Sequence, residues 1–409
     1  MKKRRFEESI VIFGAGKIGR SFIGQLFSRA GYKIVFIDID HQIIDELNRR
    51  KAYKVIIKNE NEEVIEVTNV SGILSNDKEK VIHAINECRL LVSSVGINAI
   101  NNILPIIARG IEERYTIYPD FPLDFILAEN SKDCRKIVRS KLEVLLPNHF
   151  PIDLYVGLIE TSIGKMVPNV SSDILRKDIL LIYAEPYNTL ILDKLGFKNP
   201  IPDVRGLLPK ENIKAWVERK AFIHNLGHVA AAYFGYYKFP NRRYLYEVLA
   251  DPEVNLFTRQ TMKQSAYALS TQYTNEFTEN DLDSHIDDLI KRFQNRALGD
   301  TIYRVGHDLK RKLNVDDRIG GAIKLAQRTG VPFDKLIEAF VYGVFFNSPN
   351  ELGIIDEEDK KFTEEFEMNA VKALVDICGY NIQTDIIIIK AILSKYNLLI
   401  KNRLLNADY

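Results

Sequence analysis

Cysteine is scarce in this chain: Cys88, Cys134 and Cys378 lie far apart and make neither a CxxC pair nor an obvious disulfide framework. That spacing suits a reducing compartment, and a cytoplasmic location is expected. Long hydrophobic runs are missing as well. The greasiest stretch near the C-terminus, Ile386 to Ile389, meets Lys390 after four residues, far short of a membrane span. Met1 to Arg5 is basic, but the apolar run that follows, Ile10 to Ala15, breaks into glycines and is too short for a signal-peptide core. An excess of charge of one sign is the third absence. With 56 basic against 55 acidic residues, nothing advertises nucleic acid or a membrane surface as a partner. Internal repeats and low-complexity segments are absent too.

What is present is an ordinary soluble composition in a chain of 409 residues, long enough that two domains are expected from size alone. Residues 10–40 read as strand, turn, helix and strand: Ile10 to Phe13, a glycine turn, an apolar-periodic stretch through Ala30, Gly31 as a C-cap, then Ile34 to Ile37. Arg89 to Val95 and Asp124 to Ala128 are further buried-strand candidates, separated in part by helical patterns, which implies a mostly parallel sheet. From Glu211 onward the segments are long and helix-periodic. Pro200, Pro202 and Pro209 mark the change, so 195–210 is the expected linker. The expected architecture is an α/β Rossmann-type domain over 1–195 and an all-α domain over 196–409, with the active site in the cleft between them.

Gly14-Ala-Gly16-Lys-Ile-Gly19 directly follows the first strand and opens the first helix. In that context GxGxxG is a dinucleotide fingerprint. Its first two glycines allow a tight turn and close approach of a pyrophosphate to backbone N–H groups, and the third lets helix and strand pack closely. Asp38 ends the second strand 19 residues after Gly19, where a carboxylate accepts from ribose hydroxyls and repels a 2′-phosphate. NAD is therefore the expected cofactor, with Gly14, Ala15, Gly16, Lys17, Ile18, Gly19 and Asp38 as its contacts. Val95 and Gly96, after the Arg89 strand, offer a second close approach to the cofactor; taken alone they read equally as an ordinary turn.

The segment Lys220-Ala-Phe-Ile-His-Asn225-Leu-Gly-His228 places three polar groups on one face of a helix. At about 100° per residue, Lys220, His228 and Asn225 project near 0°, 80° and 140°, opposite Val229, Phe222, Leu226, Ala230 and Ile223. A lysine whose pKa is lowered by burial or by a cationic neighbour can accept a proton. Amide and imidazole donors can then hold a developing alkoxide or carbonyl oxygen. The alternative for such a helix is a solvated polar stripe on the surface.

These residues, taken together, resemble the polyol-specific long-chain dehydrogenases, the mannitol dehydrogenase family. The likeness spans most of the chain and rests on Phe13 to Arg20 with Val35 to Asp38, on Leu127-Ala-Glu-Asn130, on Glu218 to His228, and on Arg304 to Leu313 with Asp317-Arg318. The family pattern Lys-x4-Asn-x2-His falls on Lys220, Asn225 and His228. The resemblance implies that Lys220 is the general base, that Asn225 and His228 orient the reacting oxygen, and that Asn130 sits near nicotinamide and substrate. It also implies a metal-independent enzyme, and scattered histidines and cysteines agree with that. The implied reaction interconverts a polyol or its phosphate with a ketose or its phosphate, mannitol 1-phosphate and fructose 6-phosphate first among them. A small-molecule substrate and a monomer or homodimer are expected.

Substrate phosphate needs convergent donors, and His307, Lys310, Arg311 and Lys312 are the residues that could supply them; a charge run of this kind is equally a solvated helix face or cap. Two departures bear on the substrate. Where the family commonly has an Asp-Arg pair, this chain has Gly164-Lys165, which removes an acid that contacts sugar hydroxyls in related enzymes. His224 stands where an aliphatic residue is usual, within reach of Lys220 or of a substrate. The alternatives are a hexuronate reductase acting on fructuronate or tagaturonate, in which the Lys310–Lys312 cluster meets a carboxylate instead of a phosphate, and a catalytically silent NAD(H) sensor, with His224 and Gly164 as signs of decay.

Overall fold

The computed structural model describes residues 8–131 and 133–407, with side chains as far as Asn402; the basic stretch Met1 to Arg5 lies outside the described residues. The chain divides into two compact units at Val217 and Glu218.

Among the described residues the first unit holds eleven strands: β1 (Ser9–Phe13), β2 (Lys33–Asp38), β3 (Ala52–Ile57), β4 (Glu63–Thr68), β5 (Val70–Leu74), β6 (Leu90–Ser93), β7 (Leu123–Leu127), β8 (Val156–Ile163), β9 (Ile182–Ala184), β10 (Leu190–Asp193) and β11 (Leu207–Lys210). Eight of them form one sheet in the order β11-β10-β8-β7-β6-β1-β2-β5. From β5 to β8 every pairing is parallel, and β10 runs antiparallel to β8. Alternation along the central strands explains the burial of both sheet faces. Ile10 and Ile12 enter one apolar cluster with Phe22, Leu26, Phe36 and Val92, while Val11 and Phe13 enter the other with Ile85, Leu91, Leu104 and Phe125. The small sheet β4-β3-β9 is a hairpin with β9 added parallel to β3.

The first unit extends past the expected boundary at residue 195. Strand β11 pairs in parallel with β10, so the proline-rich stretch closes the sheet's edge before the helices begin. Pro209 sits on that edge strand, opposite Leu192, where a missing N–H is tolerated.

Among the described residues the second unit is helical, apart from one isolated antiparallel bridge between Tyr244 and Thr301. Two of its long helices start on strong caps. Asp251 accepts from the N–H groups of Glu253 and Val254 ahead of Pro252–Gln272, and Thr278 with Asp281 forms a capping box for Glu279–Phe293. The C-terminal helix Ile386–Ala407 buries Ile388, Ile389 and Ile392, and its Tyr396 stacks on Phe345 at 5.3 Å. No helix among the described residues is long and apolar enough to cross a membrane.

Candidate active site

In the first unit the glycine turn is shaped by its own backbone. Gly14 adopts φ +100°, and a Cβ there would stand 2.5 Å from the Ser94 carbonyl oxygen; a Cβ on Gly19 would stand 2.0 Å from the Gly14 carbonyl oxygen. Neither position has room for a side chain. A Cβ on Gly16 would meet nothing within 4 Å, so this stretch of backbone is open to a group as large as a pyrophosphate, and the turn fits a dinucleotide. Ala15 and Gly19 are buried, Lys17 is exposed and hydrogen-bonds Asn169, and Ile18 packs against the sheet's core.

Asp38 does more than end β2. Its Oδ2 accepts from the Ala15 N–H at 2.6 Å and its Oδ1 from the Asp40 N–H at 3.0 Å, so the carboxylate braces the turn from below. Arg20, the residue after the fingerprint, is 6% exposed. It donates to the Ala15 and Leu180 carbonyls, both at 2.6 Å, and burial draws its pKa down. The helix that follows opens as a π-helical segment, Gly19–Gly24.

The backbone N–H groups of Val95 and Gly96, the expected second close approach to the cofactor, have their partner within the first unit. Both N–H groups are donated to Glu129, at 3.0 and 2.8 Å. Glu129 is buried, and desolvation pushes its pKa up against those bonds. The Gly96 Cα still faces open space, with φ +88°. Asn130, next to Glu129, is exposed at the carboxyl end of β7. Gly164 is partly buried, and Lys165 turns inward to donate to the Glu185 and Tyr187 carbonyls at 3.1 and 2.8 Å.

In the second unit, Lys220–Asn225 is a π-helical segment between Ile213–Arg219 and Leu226–Lys238. The wider turn invalidates a projection at the α-helical angle, so the angles expected from sequence do not describe this face. The side chains are not a solvated stripe either. Lys220, Asn225 and His228 are partly buried and His224 is 6% exposed. Burial, then the Arg318 guanidinium, draws the Lys220 ammonium down to about 8, against a partial opposing pull from Asp317. His228 lies flat on Phe293, 4.6 Å between ring centroids, and its Nε2 is 3.1 Å from Asp300 Oδ2. Burial and the cations Arg304, Arg318 and Lys312 hold it well below an ordinary histidine. His224 packs on the same phenylalanine at 5.6 Å, and burial, then the Arg292 guanidinium, holds it well below an ordinary histidine.

The basic run divides into three environments. Lys310 is exposed. Arg311 is also exposed but pairs with Asp308 at 2.5 Å and Asp317 at 3.2 Å. Lys312 is buried, donates to the Val305 and His307 carbonyls, and is drawn down to about 7 chiefly by burial. His307 stacks on Tyr303 at 5.0 Å. Arg318, Asp300, Phe293 and Glu129 are the residues that sequence reasoning did not single out. Arg318, within the Asp317-Arg318 pair, and Glu129, within Leu127-Ala-Glu-Asn130, carried a signal; Asp300 and Phe293 carried none. Among the described residues no group of three or more His, Cys, Asp or Glu gathers as a metal site.

The family model for the mannitol dehydrogenase Rossmann domain matches residues 8–206, and that for the mannitol dehydrogenase C-terminal domain matches 212–387. Mannitol-1-phosphate 5-dehydrogenase of Shouchella clausii is 33% identical over 90% of this chain and 93% of its own length. The Geobacillus stearothermophilus protein of that name is 33% identical over 76% and 80%. The one from Buchnera aphidicola of Schizaphis graminum is 29% identical over 95% and 98%. Two solved structures share the fold. Pseudomonas fluorescens mannitol 2-dehydrogenase, in ternary complex with NAD and D-mannitol, has a TM-score of 0.71 at 16% identity, covering 97% of this chain and 92% of that one. A substrate-free D-sorbitol dehydrogenase has 0.78 at 14%, covering 97% and 94%. Matched in both halves, and one third identical to relatives along most of its length, this chain belongs to the mannitol dehydrogenase family.

Proposed function

We propose that this chain is an NAD-dependent dehydrogenase that interconverts mannitol 1-phosphate and fructose 6-phosphate, with Lys220 as general base. The chemistry is carried by one observation: an amine drawn down to about 8 exchanges a proton near neutral pH, which an ordinary lysine does not. The activity named for the relatives supports the substrate.

In oxidation neutral Lys220 takes the hydroxyl proton of the polyol; in reduction the ammonium returns it. The Asn225 amide donates to the oxygen as it gains charge, and His228 fixes the substrate beside it. Bound NAD supplies the hydride acceptor. We assign its hold to Gly14, Ala15, Gly16, Lys17, Ile18, Gly19 and Asp38, with Val95, Gly96 and Asn130 beside the nicotinamide. His307, Lys310 and Arg311 are assigned to the substrate, and exposed Lys310 is the member best placed to meet a phosphate from solvent. Three buried free thiols suit a reducing cytoplasm, where the enzyme acts as a monomer or homodimer.

The test is NADH oxidation with fructose 6-phosphate, fructose, fructuronate and tagaturonate. Preference for fructose 6-phosphate is expected. Preference for either uronate would make the enzyme a hexuronate reductase, and binding of NADH without turnover of any would make it a sensor.

A further inference from the structure

We propose that Asp300 is a positioning residue that holds His228 as the neutral tautomer protonated on Nε2, so that Nδ1 meets the substrate as a hydrogen-bond acceptor. The word substrate rests on the polyol reading above; the tautomer rests on geometry. Asp300 is 5% exposed. Its Oδ2 faces His228 Nε2 at 3.1 Å, and its Oδ1 takes the Arg304 guanidinium. A carboxylate held by a guanidinium offers only lone pairs, so the ring nitrogen facing it must be the donor. His228 is kept from taking a second proton by burial and by Arg304, Arg318, Lys312 and Arg292 around it. A neutral imidazole has a single N–H. With that proton on Nε2, Nδ1 is left as a lone pair.

The arrangement is rigid at both ends. Phe293 lies against the imidazole with the two planes 14° apart, which fixes the ring's tilt. The Asp300 backbone is pinned across the Tyr244–Thr301 bridge by Leu245 N–H to the Asp300 carbonyl and by Ile302 N–H to the Arg243 carbonyl, both at 2.9 Å. The consequence is a division of labour: Asn225 donates to the reacting oxygen, whereas His228 accepts from a substrate hydroxyl. Such a hydroxyl always stands next to the reacting carbon, the carbinol carbon of a polyol or the carbonyl carbon of a ketose.

Asp300→Asn separates this role from a structural one. Arg304 can only donate, so the amide oxygen of the asparagine turns to it and the NH2 group faces His228. The imidazole must then accept at Nε2, and its proton moves to Nδ1. The readout is the Cδ2 carbon-13 shift of labelled histidine, which separates the two neutral tautomers. Among the seven histidines, His228 is identified by the signal lost in His228→Gln. The Nε2–H form is expected in the wild type from pH 6 to 8 and the Nδ1–H form in Asp300→Asn, with the other six signals in place. For ketose reduction, kcat/KM is expected to fall at least tenfold while the Kd for NADH stays unchanged. An Nδ1–H or doubly protonated His228 in the wild type overturns the proposal, as does an Asp300→Asn variant with unchanged shift and unchanged kcat/KM. The spectra need no turnover, so inactivity across the sugar panel would strike the polyol reading alone.

Discussion

Replacing Lys220 by methionine should make the protein more stable while abolishing its turnover. The folded state lowers the ammonium from 10.5 to about 8, chiefly by burial. At about 1.4 kcal/mol per pH unit, that places the charged form roughly 3 kcal/mol above its cost in the unfolded chain. Methionine has a similar length and no charge to desolvate. The sign follows from proton binding: below pH 8 both states of the wild type hold the proton and the full penalty applies. Between 8 and 10.5 the unfolded chain binds more protons than the folded one, so wild-type stability rises with pH. Lys220→Met should thus exceed the wild type by up to about 3 kcal/mol at pH 7, and the gap should narrow as pH climbs towards 10.5. Urea unfolding of both proteins across pH 7 to 10, followed in the transition of the helical unit, measures this directly. A variant no more stable than the wild type at pH 7, or a gap that does not change with pH, would refute the reasoning.

Four further substitutions separate cofactor contacts from folding. Gly16→Ala meets open space, so its thermal midpoint should match the wild type while its Kd for NADH rises tenfold or more; Gly19→Ala must displace the Gly14 carbonyl, and a loss of about 1–3 kcal/mol in stability is expected on denaturation. Glu129→Gln puts an NH2 group against one of the two N–H donors it serves. A cost of about 1–3 kcal/mol is expected from that unmet pair, along with weaker NADH binding in a fluorescence titration. Asp38→Ala should weaken NAD and relax the rejection of NADP, as competitive titration of the two cofactors would show.

Legibility in the sequence followed the range of the interactions. The glycine turn and the end of β2 are built from neighbours in a single βαβ unit, and their local geometry could be read from spacing. The Glu129 clamp joins residues 33 and 34 apart and the His228–Asp300 contact spans 72, distances that only the tertiary fold brings together. Lys312 read as part of a basic run, yet its side chain is spent on two carbonyls inside the unit, because helix Leu309–Lys312 is one turn long and turns it inward. The Lys220 segment was legible in residue type but not in geometry, since a π-helical turn leaves no mark in apolar periodicity. Strand β11 was missed for a related reason. Leu207-Leu-Pro-Lys210 is only partly buried, contains a proline and lacks alternation, so it carries none of the usual strand signals.

The central claim is that Lys220 exchanges the reacting proton from a pKa near 8, and the pH dependence of initial rates in both directions tests it most directly. Polyol oxidation should rise tenfold per pH unit below about 8 and level off above it, while ketose reduction should hold level below about 8 and fall tenfold per pH unit above it as the ammonium is lost. Lys220→Ala should lose both limbs and retain NADH binding. Rates that are flat through pH 8, or that move in the same direction for oxidation and reduction, would contradict the claim.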